Sequence, residues 1–100
     1  MARPPKHPSL MQAIHTAIAA ENYVYVGHAL KRLDERKVSR PEVEQVLVSG
    51  HHEKAKDQFD TAFQSWKYAI RGKTAEKREL RVAVTFDSGL LVLTVIDLGD

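Results

Sequence analysis

Apolar positions along the chain follow two periods, and the change between them divides it. Leu10, Ile14, Ala17 and Ile18 recur at steps of four, three and one, the spacing of one buried helix face. Ser9 and Gln12 stand three apart ahead of that face, as in a capping box, and Glu21-Asn22 ends the helix. Tyr23–Val26 is short and extended. A second helix follows with Ala29, Leu30 and Leu33 as its docking cluster. His28, Arg32 and Arg36 run along its flank at i, i+4 and i+8. Ser39 and Glu42 form a second capping-box pair, Val43, Val46 and Leu47 make the stripe of a third helix, and Gly50 stops it. His51–Ser65 has mixed charges and no clear period, so it reads as a strand and loop or as a loop with one helical turn.

From Trp66 the period drops to two. Trp66, Tyr68 and Ile70 alternate with Lys67, Ala69 and Arg71, and Leu80, Val82, Val84 and Phe86 alternate with Arg81, Ala83 and Thr85. A polar loop, Gly72–Glu79, joins the two runs. Asp87-Ser88-Gly89 is a hairpin turn with Gly89 suited to the left-handed position, and Leu90–Leu98 is apolar on both faces, as a central strand is. The pattern predicts an α+β domain with two to three helices packed on one face of a small, mostly antiparallel sheet of three to four strands. One domain spans 1–100: a flexible tail at 1–8, a helical part at 9–50 and mostly strands at 51–100.

Composition narrows the chemistry. One hundred residues, 43% hydrophobic and 28% charged, suit a single small soluble domain. The absence of cysteine removes disulfides, thiolate nucleophiles and sulfur-ligated zinc, and it fits a reducing compartment. No apolar run reaches the roughly 18 residues that span a bilayer. Pro4, Pro5 and Pro8 stand where a signal peptide needs apolar residues. A cytoplasmic protein without a membrane partner is expected.

Net charge is only +2, so position matters more than total. Between Lys67 and Arg81 six cations, Lys67, Arg71, Lys73, Lys77, Arg78 and Arg81, face only Glu76 and Glu79. If the aromatic and aliphatic positions pack under the helices, Lys67, Arg71 and Arg81 emerge together on the bare side over the small residues Ala69, Ala83 and Thr85. A shallow cationic floor of this kind can take a phosphodiester backbone. The same alternation also describes the ordinary solvated side of an antiparallel sheet. His15 sits beside the first helix's apolar face, where a packed structural role suits it. Neighbouring strand residues point to opposite faces, so His51-His52 is a poor chelate, and no second cluster has zinc-ligand spacing. Gly72-Lys73-Thr74 lacks the upstream glycine of a phosphate loop, and Ser88-Gly89 belongs to a turn. No metal or cofactor is expected.

The run His28-Ala29-x-x-Arg32-Leu33-x-x-Arg36-x-Val38-Ser39, followed by Glu42-Val43, Val46-Leu47 and Gly50, resembles the domain-of-unknown-function family 4258. Leu80-Arg81-Val82-Ala83-Val84 is similar to that family's closing strand, so the resemblance runs from about Tyr23 to Ile96. Val26-Gly27 stands where members carry a Ser or Thr helix cap. The order of elements also resembles that of the motility quorum-sensing regulator toxins, mRNA-cleaving proteins of RelE-like fold. That resemblance implies a toxin held inactive by a cognate antitoxin encoded beside it, with small zinc-finger proteins among the candidates. Of the toxins' cleavage residues, the first Lys corresponds to Lys56. The Gln position is Lys67, the Tyr position falls near Arg81, and the late Lys position is Asp97.

The implied function is metal-independent cleavage of mRNA by the neighbouring 2′-hydroxyl. Lys56, Lys67, Arg81 and His28 are the candidate catalytic residues, and Arg32, Arg36, Arg71 and Lys73 the candidate RNA contacts. Arginines suit charge stabilisation, lysines suit phosphate binding or proton donation, and His28 suits proton exchange or a structural hydrogen bond. Two alternatives stand beside this: a non-catalytic module of the same fold that binds nucleic acid or an acidic partner, and a regulatory relative that contacts only protein.

Overall fold

The segments with helical period form α1 (Leu10–Ala19), α2 (Gly27–Arg36) and α3 (Arg40–Ser49). The computed structural model describes residues 3–99, so Met1 and Ala2 of the expected tail, and Asp100, lie outside the described residues. α1 buries Leu10, Ile14 and Ala17. Ser9 provides no side-chain cap for it; instead the Ser9 N–H donates to His7 Nδ1 at 3.0 Å. α2 buries Ala29 and Leu33, while Leu30, expected in the same cluster, turns outward. α3 has both bonds of its capping box. Glu42 N–H donates to Ser39 Oγ at 3.3 Å, and Ser39 N–H donates to Glu42 Oε1 at 2.9 Å.

Gly50 ends α3 for a reason other than a left-handed cap, because its φ of −79° is open to any residue. A Cβ on Gly50 would lie 2.6 Å from the backbone oxygen of Arg71, so the glycine lets the end of α3 rest directly on the sheet.

Six strands form one mostly antiparallel open sheet, more than the three to four expected; one lies between α1 and α2 and five follow α3. They are β1 (Tyr23–Tyr25), β2 (His51–His52), β3 (Gln58–Asp60), β4 (Ser65–Lys73), β5 (Glu79–Phe86) and β6 (Leu90–Asp97). The order is β1-β6-β5-β4-β2, and β3 also pairs with β4. The long strands are the two with a clear two-residue period, β4 and β5, and the continuously apolar β6. The unexpected ones have two or three residues, too few to show any period. β2 and β3 are two pieces of one edge along β4, opposite Ile70–Arg71 and Ser65–Lys67, and a 3-10 turn at Lys54–Lys56 interrupts them. β1 runs parallel to the start of β6. Beyond β1, α2 packs alongside β6 and covers the edge that β1 leaves open.

One face of the sheet carries the core. Ile70, Leu80, Val82, Val84, Val92 and Val95 are fully buried against Ile14 of α1 and Val43, Val46 and Leu47 of α3. Each such side chain stabilises the fold by roughly 1.5–3 kcal/mol relative to exposure. Residues 3–8 lie against the end of this face. Trp66 Nε1 donates to the Pro4 carbonyl at 2.8 Å, the His7 N–H donates to Tyr68 Oη at 2.9 Å, and Lys6 Nζ sits 3.0 Å from Asp57 Oδ2.

Two local features shape the opposite face. The register between β5 and β6 shifts between Ala83 and Val84, so Thr94 faces Ala83 while Val92 faces Val84 and Leu93 is left over. This bulge turns Leu93 and Thr94 to the same side. At the β5–β6 turn Ser88 takes the left-handed conformation (φ 57°), and Gly89 sits at φ 140° close to the Asn22 side chain.

Candidate functional site

The bare face is built from the odd-numbered positions of β4 and β5. Lys67, Ala69 and Arg71 pair across the ladder with Thr85, Ala83 and Arg81 or sit beside them. Small side chains at Ala69 and Ala83 keep the middle low. β6 supplies Leu93, Thr94 and Ile96 on one side, and the broken edge of β4 supplies Lys56 and Gln58 on the other. Together with His28 at the start of α2 they enclose a groove of about 320 Å³. His28, Lys56, Lys67 and Arg81, the four candidate catalytic residues, all line it. They come from α2, the 3-10 turn, β4 and β5, separated by as many as 53 positions in sequence.

The interruption between β2 and β3 is what raises Lys56 and Glu53 over the floor. The Glu53 N–H still donates to the Ala69 carbonyl at 2.8 Å, and Asp57 Oδ1 accepts the Ala69 N–H at 2.9 Å. A carboxylate thus completes the ladder where the backbone leaves it. Asp57 is itself held by His52 Nε2 at 2.7 Å, and the His52 ring lies edge-on to Tyr68. The turn carrying Lys56 is therefore anchored at both ends.

Acidic partners temper the charge. Arg81 Nε is 2.6 Å from Glu53 Oε1, and Arg71 bridges Glu53 (3.1 Å) and Glu79 (2.7 Å). Lys67 Nζ lies 3.3 Å from Asp60 Oδ2. The Arg81 hydrogen bond, with help from Arg71, holds the Glu53 carboxyl down at about 2 despite the opposing cost of its partial burial. Hydrogen bonds from the Phe63 N–H, then Lys67, hold Asp60 below its ordinary value. Glu53 is ionised at neutral pH and fixes two guanidinium groups side by side. Among the described residues no acceptor engages the Arg81 Nη atoms, and Lys56 has no acidic partner. His28 stands in the first turn of α2, whose N-terminus has no side-chain cap.

The four candidate RNA contacts are more dispersed. Arg71 and Lys73 continue along β4 beyond the groove's lining, and Lys73 is exposed. Arg32, one helical turn after His28, engages Glu35 at 2.6 Å. Arg36, a turn further, lies at the far end of α2, where its carbonyl accepts from Arg78 and where Arg78 reaches Asp97 at 2.9 Å. None of these four lines the groove, although the helix spacing sets Arg32 and Arg36 in the same row as His28. Asp97, at the late Lys position of the resemblance, is committed to Arg78 at the sheet's end.

Sequence reasoning missed Gln58, Glu53 and the apolar strip of Leu93 and Ile96. Gln58 pairs directly across from Lys67, but β3 is three residues long and sits in the least patterned stretch. Glu53 and Asp60 lie outside the cationic stretch Lys67–Arg81, yet both fold onto its cations. Leu93 and Ile96 take their placement from the bulge. Among the described residues no group of three or more His, Asp or Glu side chains could hold a metal ion. Among the described residues no helix is long and apolar enough to cross a membrane.

No curated protein and no solved structure matches the chain. A family model described as Domain of unknown function (DUF4258) matches residues 25–97, from the end of β1 to the end of β6. That span contains every side chain that lines the groove and omits α1 and residues 3–8. The chain is therefore a member of the DUF4258 family of domains of unknown function.

Proposed function

We propose that the chain is a metal-independent endoribonuclease of RelE-like type, the toxin of a toxin–antitoxin pair. The observation that carries this reading is the meeting of His28, Lys56, Lys67 and Arg81 in one groove on the helix-free face. Cleavage by this route requires three things of a protein: an in-line backbone, a stabilised phosphorane and a path for two protons. In the groove Lys56 and Lys67 hold the phosphate, and the free Nη atoms of Arg81 meet the charge that grows on its oxygens. The 2′-oxygen attacks phosphorus as its proton passes to His28. The bond to the 5′-oxygen breaks, and that oxygen takes a proton from Lys67, leaving a 2′,3′-cyclic phosphate and a 5′-hydroxyl. Glu53 orients Arg81 and is too acidic at about 2 to serve as the base.

A second reading has its own support. Lys67, Arg71 and Arg81 each have an acidic partner, as in a face that binds a polyanion without reacting with it. One variant separates the two. With Arg81→Ala, the enzyme reading expects cleavage of a mixed-sequence mRNA to fall by about 100-fold or more, as for loss of a charge-stabilising donor. RNA affinity should drop only a few-fold. Purified wild-type chain that leaves RNA intact, together with expression that does not slow growth in the absence of the neighbouring gene's product, refutes the toxin reading.

A further inference from the structure

A second cavity, of about 570 Å³, adjoins the groove and shares His28, Lys67 and Leu93 with it. Its walls are of a different kind. Val26, Phe63, Phe86 and Leu91 are apolar, and the charged groups added to the shared ones are the carboxylates Asp60 and Asp87. The volume falls within the usual range for small-ligand pockets. Two carboxylates at its wall repel a phosphodiester, so an anionic segment of a strand is excluded. An uncharged, flat and amphipathic group suits the apolar walls and their few polar atoms.

Phe63 is the notable member. It stands 80% exposed at the tip of the β3–β4 hairpin, the most exposed of the large hydrophobic side chains among the described residues. The backbone of the turn that carries it is nonetheless held. Asp60 Oδ1 accepts the N–H groups of Ala62 (2.9 Å) and Phe63 (3.1 Å), and Gln64 closes the turn in the left-handed conformation (φ 51°). Asp60 Oδ2 reaches Lys67, so the carboxylate that shapes this turn also touches the phosphate groove. A ring held in water beside a cationic groove has no role in the core, whereas a stacking platform requires that exposure.

We propose that this cavity is a nucleobase subsite, in which Phe63 stacks the unpaired base of the nucleotide whose phosphate lies at Lys67 and His28. The inference rests on the RNA reading above and adds where the base goes. Stacking on Phe63 holds one nucleotide splayed from its neighbours, and the shared Lys67 sets the register between base and phosphate.

The test uses the whole chain and two fluorescently labelled RNA hexanucleotides, one intact and one with abasic sugars throughout. Anisotropy titrations are run at several salt concentrations. The subsite predicts that wild type binds the intact strand at least about 5-fold more tightly than the abasic one, from the lower end of base–aromatic stacking. Phe63→Ala should remove that preference while leaving abasic affinity and its salt dependence unchanged, and Phe63→Trp should restore it. The exposed hairpin tip makes misfolding a minor concern, and circular dichroism of each variant checks it. Equal binding of intact RNA by Phe63→Ala and wild type, with salt dependence kept, overturns the subsite alone. Failure of wild type to bind either strand overturns the RNA reading and the subsite with it.

Discussion

Replacing Glu53 by Gln should lower stability and raise RNA affinity at once, because one carboxylate both glues the broken edge to the sheet and masks Arg81. Its carboxyl falls from 4.5 to about 2 on folding, chiefly through the Arg81 hydrogen bond. A full displacement of that size corresponds to about 3 kcal/mol at about 1.36 kcal/mol per pH unit. The side chain is 17% exposed and opens onto a solvated groove, so screening lowers the expected cost of Glu53→Gln to roughly 1–2 kcal/mol. The sign follows from a folded-state value below the unfolded one. Stabilisation is present above 4.5 and is lost as pH falls from there towards 2. Urea unfolding followed by the single tryptophan, Trp66, in wild type and Glu53→Gln at pH 7 and at steps below 4.5, measures this. Comparing the two proteins cancels the titration of Asp97 and Asp60, which folding also holds low, whereas Glu79 shares Arg71 with Glu53 and belongs to the measured difference. In parallel, freeing Arg81 should tighten RNA binding and steepen its salt slope by roughly 0.7 per added phosphate contact on a single strand. A stability difference that stays constant through this pH range, or weaker RNA binding by the variant, refutes the role assigned to Glu53.

Two further changes probe how the groove is supported. Gly50→Ala places a methyl group against the backbone oxygens of Val46 and Arg71, neither of which can rotate away, so a loss of about 2–3 kcal/mol is expected in urea unfolding. A variant as stable as the parent would show that α3 does not rest this closely on β4. Asp57→Ala removes a carboxylate that is 1% exposed and leaves Lys6, His52 and the Ala69 N–H without their partner. A cost of about 3 kcal/mol is expected, with a red shift of Trp66 emission as residues 3–8 release the ring; unchanged emission would refute the link between Asp57 and that segment.

Much of this protein can be read from its sequence because its longer elements repeat their pattern. The three helices and the strands β4 and β5 each repeat an apolar pattern, so Ile14, Val46, Ile70 and Val82 announce both element and face, and β6 shows as a continuous apolar run. The same alternation places Lys67, Arg71 and Arg81 opposite the core before any coordinates exist. The Ser39–Glu42 capping box is likewise local, since its two hydrogen bonds join residues three apart.

Other features arise only from long-range contact. β1, β2 and β3 are too short to carry a period and exist because β6 and β4 offer them ladder partners. No spacing rule links His28 to Lys56, Lys67 and Arg81; they meet because α2 lies along β6 while the broken edge folds back over β4. Charge behaves the same way. Lys67 to Arg81 is strongly cationic as a stretch of sequence, but Glu53 and Asp60 arrive from outside that stretch and pair with its cations. Local sequence determines which residues of β4 and β5 face away from the core, because there the facing follows the period. Tertiary structure decides which of them share a groove and with what net charge, because that depends on which distant segments the sheet brings alongside.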